Sequence, residues 1–175
     1  MSNPQNHVFI LMGVSGSGKS AVASAVAHEA DAAMLDGDYL HPRANINKMA
    51  AGHALDDNDR APWLAALNDA IFAMQRTNPV SLLVCSALKK SYRDRLREGN
   101  RNLHFLYLKG DKTVIEERLK QRKGHFFKPQ MLVSQFATLE EPGEQEPDVQ
   151  AIDINQPLDA VGADTLACIN RILSL

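Results

Sequence analysis

Cysteine is scarce in this chain: two in 175 residues, Cys85 and Cys168, far apart and in apolar surroundings. That is too few for a disulfide scaffold, and the spacing is not that of a metal site. It points to two buried free thiols in a reducing cytoplasm. An excess of one charge is also missing. Nineteen Lys and Arg against twenty-one Asp and Glu leave a net charge of −2, which excludes a bulk electrostatic hold on nucleic acid or anionic lipid. Long apolar runs are absent: residues 8–12 give five in a row, where about 20 are needed to cross a bilayer. That run follows an uncharged segment and ends in glycine, so neither a signal peptide nor a membrane anchor is expected. No internal repeat and no low-complexity tract is visible, which excludes solenoids and arrays. What remains, 45% hydrophobic and 23% charged residues, is ordinary for one soluble globular domain with room for an insertion.

Short apolar runs alternate with helical patterns along the whole length. Strands are expected at 8–12, 33–35, 80–85, 103–108 and 149–154. Helices are expected at 20–30, at 41–51 starting from Pro42, at 60–76 behind an acidic capping turn at 56–59, and at 89–98 up to Gly99. Two more are expected at 111–122, with Asp111 as N-cap, and at 158–173. The segment 123–135 mixes basic, aromatic and polar residues. This alternation predicts an α/β fold: a five-stranded parallel sheet layered between helices, with right-handed crossovers. Ligands of such sheets bind beyond the carboxyl ends of the strands.

Gly13-Val14-Ser15-Gly16-Ser17-Gly18-Lys19-Ser20 fits the phosphate-loop pattern G-x-x-x-x-G-K-[ST] without a mismatch, between a strand and a helix. Gly13, Ser15, Gly16, Ser17 and Gly18 shape a nest of backbone N–H groups for the phosphates, and the following helix adds its positive end. Lys19 reaches the β and γ phosphates of ATP, and the Ser20 hydroxyl is the expected Mg2+ ligand. The plain alternative is a structural glycine turn.

Leu35-Asp36-Gly37-Asp38 closes the second strand, and strand alternation points both carboxylates the same way. Asp36 is assigned to the metal. Asp38, farther along, is assigned to the proton of a substrate hydroxyl; the alternative is a pair of helix caps before Pro42. No Asp ends the third strand, which speaks against a motor or switch. Arg60, near Trp63, stands at a loop-to-helix junction and could fork onto a carboxylate or phosphate; the alternative is helix capping with Trp63 in the core. Lys89, Arg93 and Arg97 recur every four residues and would form one basic helix face for an anionic substrate, or a solvated one. Arg118, Arg122, Lys123 and His125 gather before Phe126-Phe127, as a basic lid closing over ATP requires. His41 and His125 lie in site-like loops; His7, His28, His53 and His104 have no supporting partner in the sequence.

Together these residues resemble the gluconokinases, small P-loop kinases that phosphorylate D-gluconate with ATP. The matches are the phosphate loop, Leu35-Asp36-Gly37-Asp38-Tyr39-Leu40-His41-Pro42, residues 57–64, Cys85-Ser86-Ala87-Leu88-Lys89 with Tyr92-Arg93, and residues 119–127. They span about residues 9–138, and 153–158 also looks similar. The resemblance implies one nucleoside-monophosphate-kinase-like domain over 1–175, with a helical lid inserted at about 121–140, and a homodimer. It implies transfer of the γ-phosphoryl to the C6 hydroxyl, giving 6-phosphogluconate. On that reading Asp38 orients or deprotonates the hydroxyl, and Lys19 with Arg122 stabilises the transferring phosphoryl. Arg118 joins the nucleotide-binding set. Arg60, Lys89 and Arg93 would hold the gluconate carboxylate, with His41 and His125 nearby. The competing readings are an adenylylsulfate or shikimate kinase, and a P-loop ATPase. The first lacks an aromatic pair for a second purine here; the second lacks a glycine triplet after the third strand.

Overall fold

The computed structural model describes residues 5–122 and 129–175. Five strands form one parallel sheet: β1 (His7–Met12), β2 (Ala33–Asp36), β3 (Val80–Val84), β4 (Leu103–Lys109) and β5 (Val149–Asp153). The order is β2-β3-β1-β4-β5. The helices are α1 (Lys19–Ala30), α2 (Arg43–Ala50), α3 (Asp57–Thr77), α4 (Lys90–Arg97), α5 (Lys112–Lys120), α6 (Pro129–Thr138) and α7 (Leu158–Leu173), with a 3-10 turn at Gly37–Leu40.

The central strand explains the layering. Ile10 pairs in register with Leu83 on one side and Phe105 on the other. Residues 8–12 are fully buried, so alternate side chains feed two cores. Phe9 and Leu11 enter the core that includes Val22, Val26 and Ile169 of α1 and α7. Val8, Ile10 and Met12 enter the one that includes Trp63, Leu67 and Ile71 of α3. The three-layer α/β sandwich read from the sequence is thus the observed one.

Several boundaries move for local reasons. Helix α3 starts at Asp57, not 60, because Asp56 and Asp59 form a reciprocal capping box. Helix α5 stops at Lys120, short of 122. Asp111 takes the N-cap position without a side-chain cap bond. The described part of the expected lid, α6, is docked on the body: Leu132 is buried in the first core, and Phe136 and Leu139 pack against it. His7 and His104, without evident partners in the sequence, partner each other, their ring nitrogens 3.0 Å apart.

Arg93 corrects a sequence expectation. It is not an open substrate ligand: it is 0% exposed, and all five of its donors are engaged. Nε and Nη2 grip Glu146 at 2.7 and 2.8 Å, Nη1 donates to the carbonyls of Ala87 and Leu88, and Nη2 also reaches the Glu140 carbonyl. The arginine holds the Glu146 carboxyl below its usual range. It also fixes the bend after β3, where Ala87 has a left-handed backbone with φ 47°. The supposed basic face is neutralised in the same way, since Arg97 pairs with Asp94, Glu146 and Asp148. Arg93→Met removes the bidentate partner of the buried Glu146 carboxylate and leaves it only the single contact with Arg97. It should destabilise the fold by about 3–5 kcal/mol, measured by urea denaturation, and adding Glu146→Leu should recover part of that loss.

Candidate functional site

The chain leaves β1 through residues with positive φ: Gly13 at 146°, Gly16 at 85° and Gly18 at 96°. At Gly16 the need is also steric, because a Cβ there would sit 2.5 Å from Leu119 Cγ of α5. The resulting turn aims the start of α1 into a cleft of about 580 Å3. Ser15, Lys19, Ser20, Asp38, Arg118 and Arg122 are among its lining residues. Lys19 Nζ donates to the carbonyls of Gly13 and Val14 at 2.9 and 3.0 Å. Burial lowers its ammonium to about 8, against the pull of Asp38, Cys85 and Asp36. An incoming phosphate would therefore relieve a desolvated cation. Ser17 is buried, and its hydroxyl has no hydrogen-bond partner among the described residues.

The two carboxylates, Asp36 at the end of β2 and Asp38 in the turn that follows, differ in their contacts. Asp36 accepts from the Ser20 hydroxyl at 3.4 Å and from the Asp38 N–H at 3.0 Å. Capping and metal readings thus meet in one residue. Ser20 and Asp36 present adjacent hard oxygen donors, the kind Mg2+ takes. Among the described residues no cluster of three or more His, Cys, Asp or Glu forms a complete cage. A cation here would fill its shell with water and phosphate oxygens, as Mg2+ does. Asp38 faces the cleft, and its carboxyl lies above the usual range through burial and the neighbouring Asp36, with Lys19 and His41 opposing.

On the far side of Asp38, His41 stacks on Trp63 with ring centroids 4.2 Å apart. Trp63 is itself pinned by its Nε1–H to the Gly37 carbonyl at 2.9 Å. Asn45 Nδ2 stands 3.1 Å from His41 Nδ1 and also donates to the Asp59 carbonyl. Burial lowers the His41 pKa, as does Arg60, while Asp38 opposes. Arg60 donates to the Tyr92 hydroxyl at 3.1 Å, and that hydroxyl donates to Asp57 at 2.5 Å. Lys89 reaches the same carboxylate at 3.2 Å. Hydrogen bonds from Tyr92 and Lys89 hold Asp57 below its ordinary value. Lys89 pairs with Asp57 directly, while Arg60 reaches it only through the tyrosine hydroxyl.

A family model described as an AAA domain matches residues 8–141. The thermoresistant gluconokinase of Escherichia coli is 68% identical over 170 residues, covering 97% of each chain. The crystal structure of a gluconokinase from Sinorhizobium meliloti 1021 superposes with a TM-score of 0.86 at 40% identity, covering 98% of this chain and 96% of that one. The chain belongs to the gluconokinase family. An APS kinase from Mycobacterium tuberculosis, at TM-score 0.66 and 19% identity over 96% of this chain and 99% of its own, shares the fold alone.

Within this gluconokinase fold, the loop residues, Asp36, Asp38, Arg118 and Arg122 surround one cleft or its rim, with His41, Arg60 and Lys89 grouped beyond Asp38. Arg93 is removed from the set by its burial. His125 lies outside the described residues. Arg118 spends Nη2 on the carbonyls of Ile154 and Gln156, both at 2.5 Å. Its buried Nη1 has no partner among the described residues, which leaves a donor at the cleft wall. Sequence reading missed Asp57 as the shared anion, Asn45 as the support of His41, and Gln135, whose Oε1 accepts from the Ser15 N–H at 2.6 Å. Asp57 lay inside a quoted segment. Asn45 and Gln135 carried no spacing signal.

Lys19→Ala removes the loop ammonium that donates to the Gly13 and Val14 carbonyls at the cleft. Turnover should fall by about 10²–10³-fold while the thermal midpoint stays near that of the parent, checked by steady-state kinetics and calorimetry.

Proposed function

We propose that this chain transfers the γ-phosphoryl group of ATP to the C6 hydroxyl of D-gluconate, giving 6-phosphogluconate and ADP. The observation that carries the reading is the Asp38 carboxyl in the cleft, between the phosphate loop and the cationic group of Arg60 and Lys89. A polyol acid fits that span: an anionic head for the cations and a distal hydroxyl for the aspartate. The 68% identity to a named gluconokinase supports the same substrate.

In the reaction the C6 oxygen attacks the γ phosphorus, and the bond from that phosphorus to the β,γ-bridging oxygen breaks. The hydroxyl proton passes to Asp38, whose raised pKa suits a base. Lys19 and Arg122 face the oxygens on which charge accumulates. Ser20 and Asp36 would hold Mg2+, which supplies charge neutralisation at the phosphates when bound. Arg118 and the loop N–H groups not already taken by Ser86, Gln135 and Val14 hold the nucleotide. Arg60, Lys89 and His41 orient the acceptor, Arg60 with a guanidinium that makes no direct ion pair among the described residues. His125 belongs to the same acceptor set by family resemblance. The region 121–140 acts as the lid of a single domain over 1–175.

We place the protein in the cytoplasm as a homodimer that holds no nucleic acid. Two buried free cysteines support a reducing compartment, the net charge of −2 supports the absence of a nucleic-acid partner, and the dimer rests on family resemblance. Among the described residues no helix is long and apolar enough to cross a membrane.

A coupled ADP-release assay with Mg-ATP tests the reaction against D-gluconate, other aldonates, shikimate, adenylylsulfate and no acceptor. Release with gluconate far above all others is the expected result. Release without an acceptor would instead make the protein an ATPase, and preference for another acceptor would overturn the substrate. In the same assay Asp38→Asn should lose at least about 10²-fold in kcat, with ATP affinity little changed; a pure ATP-binding defect would move Asp38 to the metal.

A further inference from the structure

Helix α6 carries a polar residue on the side that faces the body. Leu132 is buried in the core that also holds Val14 and Leu88, and Phe136 packs against the same core. Gln135 lies three residues beyond Leu132, on the same flank of the helix. Its Oε1 accepts the Ser15 N–H at 2.6 Å, across 120 residues of sequence. A short bond of this kind from a separate helix to the phosphate loop is not needed to form either element.

Its position suggests a use. Ser15 lines the cleft together with Lys19, Asp38 and Arg122. Beyond its last turn, α6 leads to the acceptor side: the Glu140 N–H donates to the Leu88 carbonyl at 2.8 Å, and Glu140 Oε1 accepts from the Lys90 N–H at 2.8 Å. Gln135 thus stands between the nucleotide loop and the bend that precedes Lys89. A side-chain amide is planar, so fixing its oxygen restricts where its two N–H donors point. Among the described residues Nε2 has no hydrogen-bond partner, and the side chain is only partly buried. Beside the cleft-lining Ser15, the amide is thus anchored on one atom and, among the described residues, without a hydrogen-bond partner on the other.

We propose that Gln135 is a catalytic residue of the transfer: the Ser15 N–H fixes Oε1, and Nε2 donates to the phosphoryl oxygens as they pass from ATP to the acceptor. This rests on the phosphotransfer reading above. No bond to Gln135 forms or breaks. Its contribution is a preorganised donor where charge shifts during the reaction. It also gives α6 a purpose beyond covering the loop, since a donor carried by a docked helix reaches the phosphoryl only while that helix is seated.

Two variants separate the anchor from the donor. Gln135→Glu keeps an oxygen for the Ser15 N–H but removes the donors. Gln135→Met removes both at similar size. With Mg-ATP and D-gluconate saturating, both should lower kcat about 10- to 100-fold. The Glu variant should melt within about 2 °C of the parent. Its KM for ATP should rise, because a carboxylate would face the phosphates, while its KM for gluconate stays within about threefold. The proposal is overturned if the Glu variant keeps kcat within about twofold of the parent while the Met variant loses it, because Gln135 would then only brace the loop. It is equally overturned if both variants keep kcat. Failure of the parent to use gluconate would be seen first and would overturn the substrate; the two variants would then be compared with the acceptor the parent does use.

Discussion

Strand β1 is buried on both faces and flanked by β3 and β4, so the chain can leave the sheet only at its end. It does so through three glycines with positive φ. That constraint reverses the chain and starts α1 at the cleft, with the N–H groups of Gly13, Ser15 and Ser17 taken by Ser86, Gln135 and Val14. The remaining parts of the site are placed relative to this turn. Leu119 of α5 covers Gly16, β2 ends so that Asp36 meets Ser20, and Lys19 folds back on the loop carbonyls. A side chain at Gly16 would strain the backbone and collide with α5 together.

Charge is distributed by the same architecture. Arginines and lysines that look alike in sequence have different fates. Arg93 is consumed by Glu146 and three carbonyls, and so holds the left-handed bend at Ala87. Arg97 is tied to three carboxylates. Arg60 and Lys89 meet at Asp57, one through the Tyr92 hydroxyl and the other by a direct contact. Buried pairs specify the scaffold while partly exposed cations remain available for binding. Asp38 stands beside Asp36, and partial burial and that neighbouring carboxylate both lift its pKa above the usual range.

Much of this was legible in the sequence, for reasons that can be named. Strand alternation and short valine- and leucine-rich runs gave the sheet because parallel strands are buried on both faces. The loop was legible because nest geometry restricts residue type position by position. Strand parity does not place Asp38, because β2 ends at Asp36 and Asp38 lies in the 3-10 turn that Asp36 caps. The fate of Arg93 was not legible, because its partner Glu146 lies 53 residues away in sequence and no local pattern encodes a tertiary pair. The periodicity of Lys89, Arg93 and Arg97 suggested one face, but Lys89 precedes the helix as its N-cap, so the three do not act as a unit. Gln135 was hidden for a similar reason: its meaning comes from where α6 docks, which the polar segment 123–135 did not reveal.

The central claim is that Asp36 and Asp38 divide the work, one turned to the metal and the other to the acceptor hydroxyl, with the acceptor's anionic head at Arg60 and Lys89. The most direct measurement is a crystal structure with Mg2+, a non-hydrolysable ATP analogue and D-gluconate. The account predicts an Asp38 oxygen about 2.6–3.2 Å from the C6 hydroxyl, Ser20 and Asp36 on the side of the metal, and the gluconate carboxylate against Arg60 or Lys89. Asp38 coordinating the metal, or gluconate bound in the reverse direction, would contradict it.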